Sequence, residues 1–173
     1  MSQPVLCVFS RETIDIPLLT IDTNQPMNDV SGKPILIKGL TPILTEYIKP
    51  SKGYVPTQIV VYHGYKGVTK SNSIFPLGMV ITTEKDRSCG TEGSLTLRIG
   101  PDSTSNDWVT NSRGREISVA AGTVIAILGE SRGLGIGPSK KCSDAPMVRI
   151  GIYNGNIYEG WIREAYIQRF YRQ

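Results

Sequence analysis

Proline recurs so regularly through the first fifty residues that no long helix is expected there. Each proline lacks a backbone N–H and fixes its own φ, so it is tolerated at strand starts, edge strands and turns but not inside a helix. Eighteen glycines and eleven prolines in 173 residues extend this constraint to the whole chain. The sequence therefore predicts an all-β protein of short strands joined by many turns. The N-terminal prolines are Pro4, Pro17, Pro26, Pro34, Pro42 and Pro50.

The apolar runs between these prolines are typical of strands or of an extended arm. One run, "LTPILTEYI", also fits one or two helical turns, because Thr41 is a suitable N-cap and Pro42 suits the first helical position. Further on, "TQIVVYHG" and "IFPLGMVITTEK" are rich in β-branched and aromatic residues and are separated by turn residues. These two runs predict a hairpin with a mobile tip.

Beyond Gly90 the strand pattern is denser. In "SLTLRIGP", leucine and isoleucine alternate with polar residues, which predicts a half-buried strand. "EISVAAGTVIAILGES" predicts two short strands around a turn at Gly122. "MVRIGIYNGNIYEGWI" predicts a hairpin, since Asn154-Gly155 is the strongest short-range hairpin signal. The last residues, "REAYIQRFYRQ", predict a single 3₁₀ or α turn.

This change of pattern predicts two regions. We expect residues 1–90 to form a β-rich N-terminal region with an extended arm, and residues 91–173 to form a small β-barrel. The turn-rich stretch "DRSCGTEG" marks the boundary.

The order of motifs in residues 93–170 resembles the bacterial SH3-like (SH3b) family. There, a strand ending in Arg-x-Gly-Pro opens a five-stranded barrel and Gly-Trp-Val/Ile closes it. The resemblance implies that Trp161 covers one barrel end while Tyr166 and Ile167 plug it. The matching positions are Leu95, Leu97, Arg98, Gly100, Pro101, Gly122, Thr123, Leu128, Gly129, Val148, Ile150, Gly155, Gly160, Trp161, Ile162, Tyr166 and Ile167.

Two departures from the family pattern concern the binding surface. Met147 stands where family members often carry an aromatic residue, and the loops "DSTSNDWVTNSRGRE" and "SRGLGIGPSKKCSDAP" are longer than usual. Because such loops often carry function, they are candidate contact regions. Trp108 in the first loop is either an exposed anchor or a ring folded back over the barrel. The predicted binding residues are Trp108, Tyr153, Tyr158, Trp161, Tyr166, Arg132, Lys140 and Lys141.

No pattern in the sequence selects a catalytic residue, a metal site or a cofactor. His63 is the only histidine, and its strand-end position beside turn residues is typical of a surface side chain. "GLGIGPSKK" lacks the Gly-Lys-Ser/Thr order of a phosphate loop. The three cysteines show neither a zinc spacing nor a disulfide framework. Buried or idle thiols are expected, and pairing of Cys89 with Cys142 stays open.

The net charge of +4 is spread evenly, apart from a local excess of seven basic over three acidic residues between Arg132 and Arg172. This excess favours a solvated basic rim over a nucleic-acid site. The first twelve residues lack the features of a signal peptide, and no run is long enough to cross a membrane. We expect a chain made without a secretion signal, located in the cytoplasm, or in the virion if phage-encoded.

Two functions are consistent with these features. The first is a non-enzymatic assembly protein that contacts other subunits, in a homo- or hetero-oligomer, through its barrel and N-terminal arm; a phage capsid, connector or tail is the suggested setting. The second, implied by the resemblance, is a module that binds peptidoglycan or short peptides.

Overall fold

The fold is all-β. It is taken from a computed structural model that describes residues 2–48, 57–70, 73–81, 95–100, 108–132 and 146–173, with side chains of 130–132 left aside. These residues contain no α-helix, and none of their helical turns has the length and apolar character needed to cross a membrane. The strands before residue 81 are β1 Gln3–Pro4, β2 Leu6–Val8, β3 Asp15–Pro17, β4 Leu36–Lys38, β5 Pro42–Ile48, β6 Thr57–Tyr62, β7 Tyr65–Gly67 and β8 Ile74–Val80. Those after residue 94 are β9 Leu95–Thr96, β10 Ser118–Val119, β11 Val124–Arg132, β12 Pro146–Tyr153, β13 Ile157–Arg163, β14 Ile167–Arg169 and β15 Tyr171–Arg172.

Nine of these strands form one antiparallel sheet. Its order is β13-β12-β11-β8-β2-β5-β6-β7, with β14 added on β8. Three two-stranded sheets, β1-β15, β9-β10 and β3-β4, complete the described structure. None of these sheets closes on itself among the described residues, so the predicted closed barrel is not observed, and the SH3-like assignment stays a prediction.

Strand β8 connects the two ends of the chain. One edge of its C-terminal half pairs with β11. Along the other edge, β2 and β14 follow one another, because the Leu77 N–H donates to the Val5 carbonyl and the Leu77 carbonyl accepts from the Phe170 N–H. β8 precedes the predicted boundary near Gly90, which lies outside the described residues. The division at that point stays a prediction.

Three apolar clusters fill the interior. The C-terminal cluster lies between β8, β11, β12 and β13 on one side and the segments around β9 and β10 on the other. The N-terminal cluster gathers residues of β2 to β6. A junction cluster of Cys7, Phe9, Leu77 and Ala126 lies between them. Buried aliphatic side chains on both faces of β11 and β12 explain why their sequences are almost continuously apolar.

Several sequence predictions are confirmed. The hairpin of β12 and β13 turns through residues 154–156, with Gly155 at a φ of 71°. Gly122, at a φ of 90°, separates β10 from β11. A 3₁₀ turn, Glu164–Tyr166, precedes β14. Each glycine adopts a left-handed backbone that other residues rarely take.

Two predictions about the N-terminal half are wrong. "LTPILTEYI" is not helical, since β5 spans Pro42–Ile48 and pairs with β2 and β6. Its β-branched residues favour the strand once both neighbours are present. The run "TQIVVYHG" does not form a hairpin with "IFPLGMV". Instead β6 turns at His63 and Gly64, with φ values of 48° and 82°, directly into β7.

The N-terminal segment is part of the sheet rather than a free arm over its described residues. β1 pairs with β15, and β2 lies between β5 and β8. Cys7 and Val8 are fully buried. The backbone of residues 3–8 is therefore held by pairing within the chain.

Candidate binding surface

Gly160 allows a second strand to lie directly against β13. The N–H of Arg98 donates to the carbonyl of Trp161 (3.0 Å), and the N–H of Trp161 donates to the carbonyl of Arg98 (2.8 Å). A Cβ at Gly160 would lie 3.0 Å from the Arg98 carbonyl, from Leu97 Cβ and from Val109 Cγ2. The two backbones therefore approach each other closely at Gly160.

This pairing aligns four side chains in one row, which we call the Trp–Arg row. Arg98 lies opposite Trp108 on one side and Trp161 on the other. Trp161 in turn lies opposite Arg149 of β12. Residues directly opposite each other in antiparallel strands project to the same face, so the row runs Trp108, Arg98, Trp161, Arg149 across four chain segments.

The row lies on the face away from the C-terminal cluster. Its sequence neighbours Leu97, Ile150 and Ile162 are at most 1% exposed, and strand side chains alternate between faces. All four members of the row are half-buried. Since the row alternates indole and guanidinium groups, it combines flat apolar area with positive charge.

The Arg98 guanidinium packs over an indole ring. Its central carbon is 4.6 Å from the centroid of Trp108, a distance at which a cation–π contact contributes about 0.5–2 kcal/mol, depending on desolvation. Burial, and then the charge of nearby Arg163, lower the pKa of Arg98, while Tyr166 acts in the opposite direction. The guanidinium still stays charged at physiological pH.

Arg149, at the end of the row, is held by an ion-pair network. Glu159 lies between Arg149 (3.3 Å) and Arg11 (2.5 Å to Nε). A second Arg11 nitrogen donates to the same carboxylate at 2.9 Å, which makes the pair bidentate. The network joins the segment after β2 to the β12–β13 hairpin. Because Arg11 is well exposed, its contribution to stability is small, about 0–1 kcal/mol.

The predicted binding residues fall into four groups. Trp108 and Trp161 both belong to the Trp–Arg row, on either side of Arg98, and Trp108 rests against Arg98. Tyr158 packs against the C-terminal cluster, and Tyr166 is only 8% exposed. Tyr153 stacks on Phe9 in the junction cluster, with ring centroids 5.7 Å apart. The basic residues of the second loop are not placed: Arg132 ends β11 with its side chain undescribed, and Lys140 and Lys141 lie outside the described residues.

Three charged members of this surface, Arg11, Arg149 and Glu159, are not among the binding residues predicted from sequence, and Arg98 was predicted only as part of the family motif. The sequence contains a weak signal for Arg149, because it is the one charged residue within the apolar run "MVRIGI". Its partner could not be found without the strand register.

The buried cysteine and tyrosine beside this surface are chemically quiet. Burial raises the pKa of the Cys7 thiol to about 12, as expected for an idle thiol. Burial and the neighbouring Cys7 raise the pKa of Tyr153 to about 12, which the Ser10 backbone partly opposes. Cys89 and Cys142 lie outside the described residues, so their pairing stays open.

Nothing in the described ranges assembles a metal site from three or more His, Cys, Asp or Glu side chains. His63 is exposed at the β6–β7 turn, where its ring lies edge-on to Tyr62 with centroids 4.2 Å apart. No protein-family model matches the chain, and no curated protein or solved structure is significantly similar to it.

Proposed function

We propose that this chain is a non-enzymatic assembly protein that binds other protein subunits, its own copies or those of a second protein, through the Trp–Arg row. The observation that supports the proposal most is the row itself. Tryptophan and arginine are the residues most enriched among those that dominate binding energy at protein interfaces. Here Trp161 and Arg149 lie on paired strands. Arg98 and Trp108 are held beside them by β-bridges, which keeps the surface preorganised.

A second surface supports binding to protein rather than to a small molecule alone. β2 pairs with β5 only as far as Ile43. Beyond it, residues 44–48 pair with β6 on one edge, and no strand of the described ranges covers the other. This segment exposes Leu44 (54%), Tyr47 (67%) and Ile48 (41%). Open backbone groups beside apolar side chains favour the addition of a strand from another chain.

We also propose, as the family resemblance implies, that residues 93–170 contain an SH3-like unit. The proposal is supported by β11, β12 and β13, which are consecutive antiparallel neighbours. It is also supported by the pairing of Arg98, in the segment expected to open the unit, with Trp161 of β13. The setting proposed for the assembly, by analogy of architecture alone, is a phage capsid, connector or tail.

The test is the size of the assembly as a function of concentration. We expect analytical ultracentrifugation of the purified chain, alone and mixed with the products of neighbouring genes, to show a reversible complex. Trp108→Ala removes an indole from the end of the row without touching the C-terminal cluster. It should weaken association at least tenfold, as expected when a tryptophan that dominates the binding energy is truncated.

Tyr171→Ala is the matched control, since it truncates an exposed aromatic residue away from the row. Its association should equal that of the unmodified chain, and both variants should unfold at similar denaturant concentrations. A chain that stays monomeric under all these conditions, or an equal loss in both variants, would contradict the proposal.

A second function is favoured by one specific feature of the row, its two indole rings on a single face. Such rings can stack on the C–H faces of sugars, so a peptidoglycan-binding module is the alternative. Sedimentation with purified cell-wall sacculi separates the two functions. If the chain pellets with sacculi and Trp161→Phe binds more weakly while remaining folded, wall binding replaces assembly as the preferred function.

A further inference from the structure

A cavity lies where the N-terminal segment meets the C-terminal strands. Its volume is about 530 Å³, and residues of the segment after β2, of β3, of β8 and of the β11–β12 pair line it. This volume is within the range of small-molecule sites, which often lie at junctions between structural units. It is also much larger than a single side chain would fill.

The base of the cavity is apolar and aromatic. Phe9 is 3% exposed and lies flat over Gly151, where a Cβ would overlap its ring. Phe75 of β8 and Leu128 of β11 complete the base, and all three belong to the junction cluster. The base is therefore fixed by packing on both sides, which favours a preformed site over one created by the ligand.

The rim carries more positive than negative charge. Arg11, Lys70 and Arg149 line it against a single carboxylate, Glu12. Glu159 neutralises one of the two arginines through the ion-pair network. Lys70 makes no ion pair with any described carboxylate. Its ammonium group is thus available to a ligand at the mouth of an apolar cavity.

We propose that this cavity binds a small organic anion with an apolar, preferably aromatic, body. The body packs against Phe9, Phe75 and Leu128, and the acidic group lies at the rim between Lys70 and Arg149. Neither the apolar base nor the charged rim is sufficient for specific binding. An apolar pocket fixes no ligand orientation, and an exposed cation contributes little binding energy by itself. The site shares Arg149 with the Trp–Arg row, but Lys70 and the apolar base lie outside the row, so the proposal does not depend on the subunit contact.

Anilinonaphthalene sulfonate is a suitable probe, because it combines an aromatic body with one acidic group. We expect the full-length chain to bind it saturably at one site, with a rise in fluorescence. Lys70→Ala should weaken binding about threefold to tenfold, the effect of one partly exposed charged contact, and Lys70→Arg should restore most of it. The uncharged analogue phenylnaphthylamine should bind equally well to the chain with and without Lys70→Ala.

Two further variants keep the proposal falsifiable. Thr13→Trp places a large ring in the cavity from its half-buried wall and should abolish binding of both probes in a variant whose unfolding transition is retained. Lys33→Ala removes the same charge from a remote exposed turn and should change nothing. Binding that is unsaturable, that survives Thr13→Trp in the folded variant, or that falls equally with Lys33→Ala would overturn the proposal.

Discussion

Tyr153 shows how one residue can combine good packing with an unfavourable polar contact. Its ring stacks on Phe9, but its hydroxyl is buried and makes no well-aligned hydrogen bond with the described residues, since the nearby Ser10 backbone partly opposes the rise in its pKa without meeting the geometry of a full bond. A buried, unpaired hydroxyl costs about 1–3 kcal/mol. The same hydroxyl occupies the space beside Gly39, where a Cβ would overlap it. The glycine is therefore required by the tyrosine and not by its own backbone angles.

This contact predicts an interaction between two substitutions. Tyr153→Phe should raise the free energy of unfolding by about 1 kcal/mol, because it removes only the unpaired hydroxyl. Gly39→Ala should lower it by about 1–3 kcal/mol through overpacking. In the double variant the alanine should cost less than in Gly39→Ala alone, as measured by urea denaturation, but it should still destabilise, because the ring carbons Cζ and Cε2 lie 2.6 and 2.8 Å from the added methyl group. Strictly additive effects would show that the hydroxyl does not fill this space.

Two raised pKa values predict a loss of stability in alkali. The pKa of Cys7 rises from 9.0 to about 12 and that of Tyr153 from 10.0 to about 12 on folding. Below pH 9 both groups are protonated in both states, so their contribution is fully present. As the pH rises through the 9–12 window the unfolded chain loses these protons first, and the free energy of unfolding falls. Urea midpoints measured across this window should fall less steeply for the Cys7→Ala, Tyr153→Phe double variant, and an unchanged slope would contradict the assignment.

At the scale of elements, the position of Trp161 depends on one residue in a turn. The hairpin signal Asn154-Gly155 suggests a two-residue turn, which would pair Tyr153 with Asn156. The observed turn has three residues and pairs Tyr153 with Ile157. A shift of one residue moves a side chain to the other face of a sheet. The hairpin was therefore predictable from sequence, whereas the meeting of Trp161 with Arg149 was not.

The other elements also divide into those set by local sequence and those set by distant partners. Turns at Gly122 and Gly155 and the 3₁₀ turn have local causes, and local sequence predicted them. The pairing of β8 with β2, β11 and β14 joins residues far apart in sequence, and no local pattern specifies such a partner. The segment of β5 also fitted a helical turn because its capping residues are a local signal, while β6, which fixes it as a strand, is a neighbour in space.

The edge of β13 provides a prediction at this scale. Gly160→Ala should separate the Leu97–Arg98 segment from β13, because backbone and Cβ atoms lie 3.0 Å from the added methyl group. We expect a loss of about 1–3 kcal/mol and a changed tryptophan fluorescence, as Arg98 leaves Trp161. Gly129→Ala is the control, since its Cβ would meet only the Arg149 side chain, at 3.8 Å or more. Equal effects of the two substitutions would argue against a specific close approach at Gly160.

For the whole molecule, the shared strand β8 decides how the chain unfolds. It contributes Val80 to the C-terminal cluster and Leu77 to the junction cluster, and it pairs with strands from both ends of the sequence. The junction cluster also places Cys7 and Phe9 against Ala126 and Tyr153. Neither region can unfold without exposing apolar surface of the other, so a single cooperative transition is expected.

A fragment of residues 91–173 tests this dependence directly. It keeps β9 to β15 but lacks β8, so β11 and β14 lose the strand that lies between them. The fully buried Val80 is also absent from the C-terminal cluster. We expect the fragment to be unfolded or molten by circular dichroism and amide dispersion in NMR spectra, and a fragment of residues 73–173, which restores β8, to regain structure. If residues 91–173 alone give a sharp unfolding transition and dispersed spectra, they form an autonomous domain, and the pairing with β8 is a contact between two independent units.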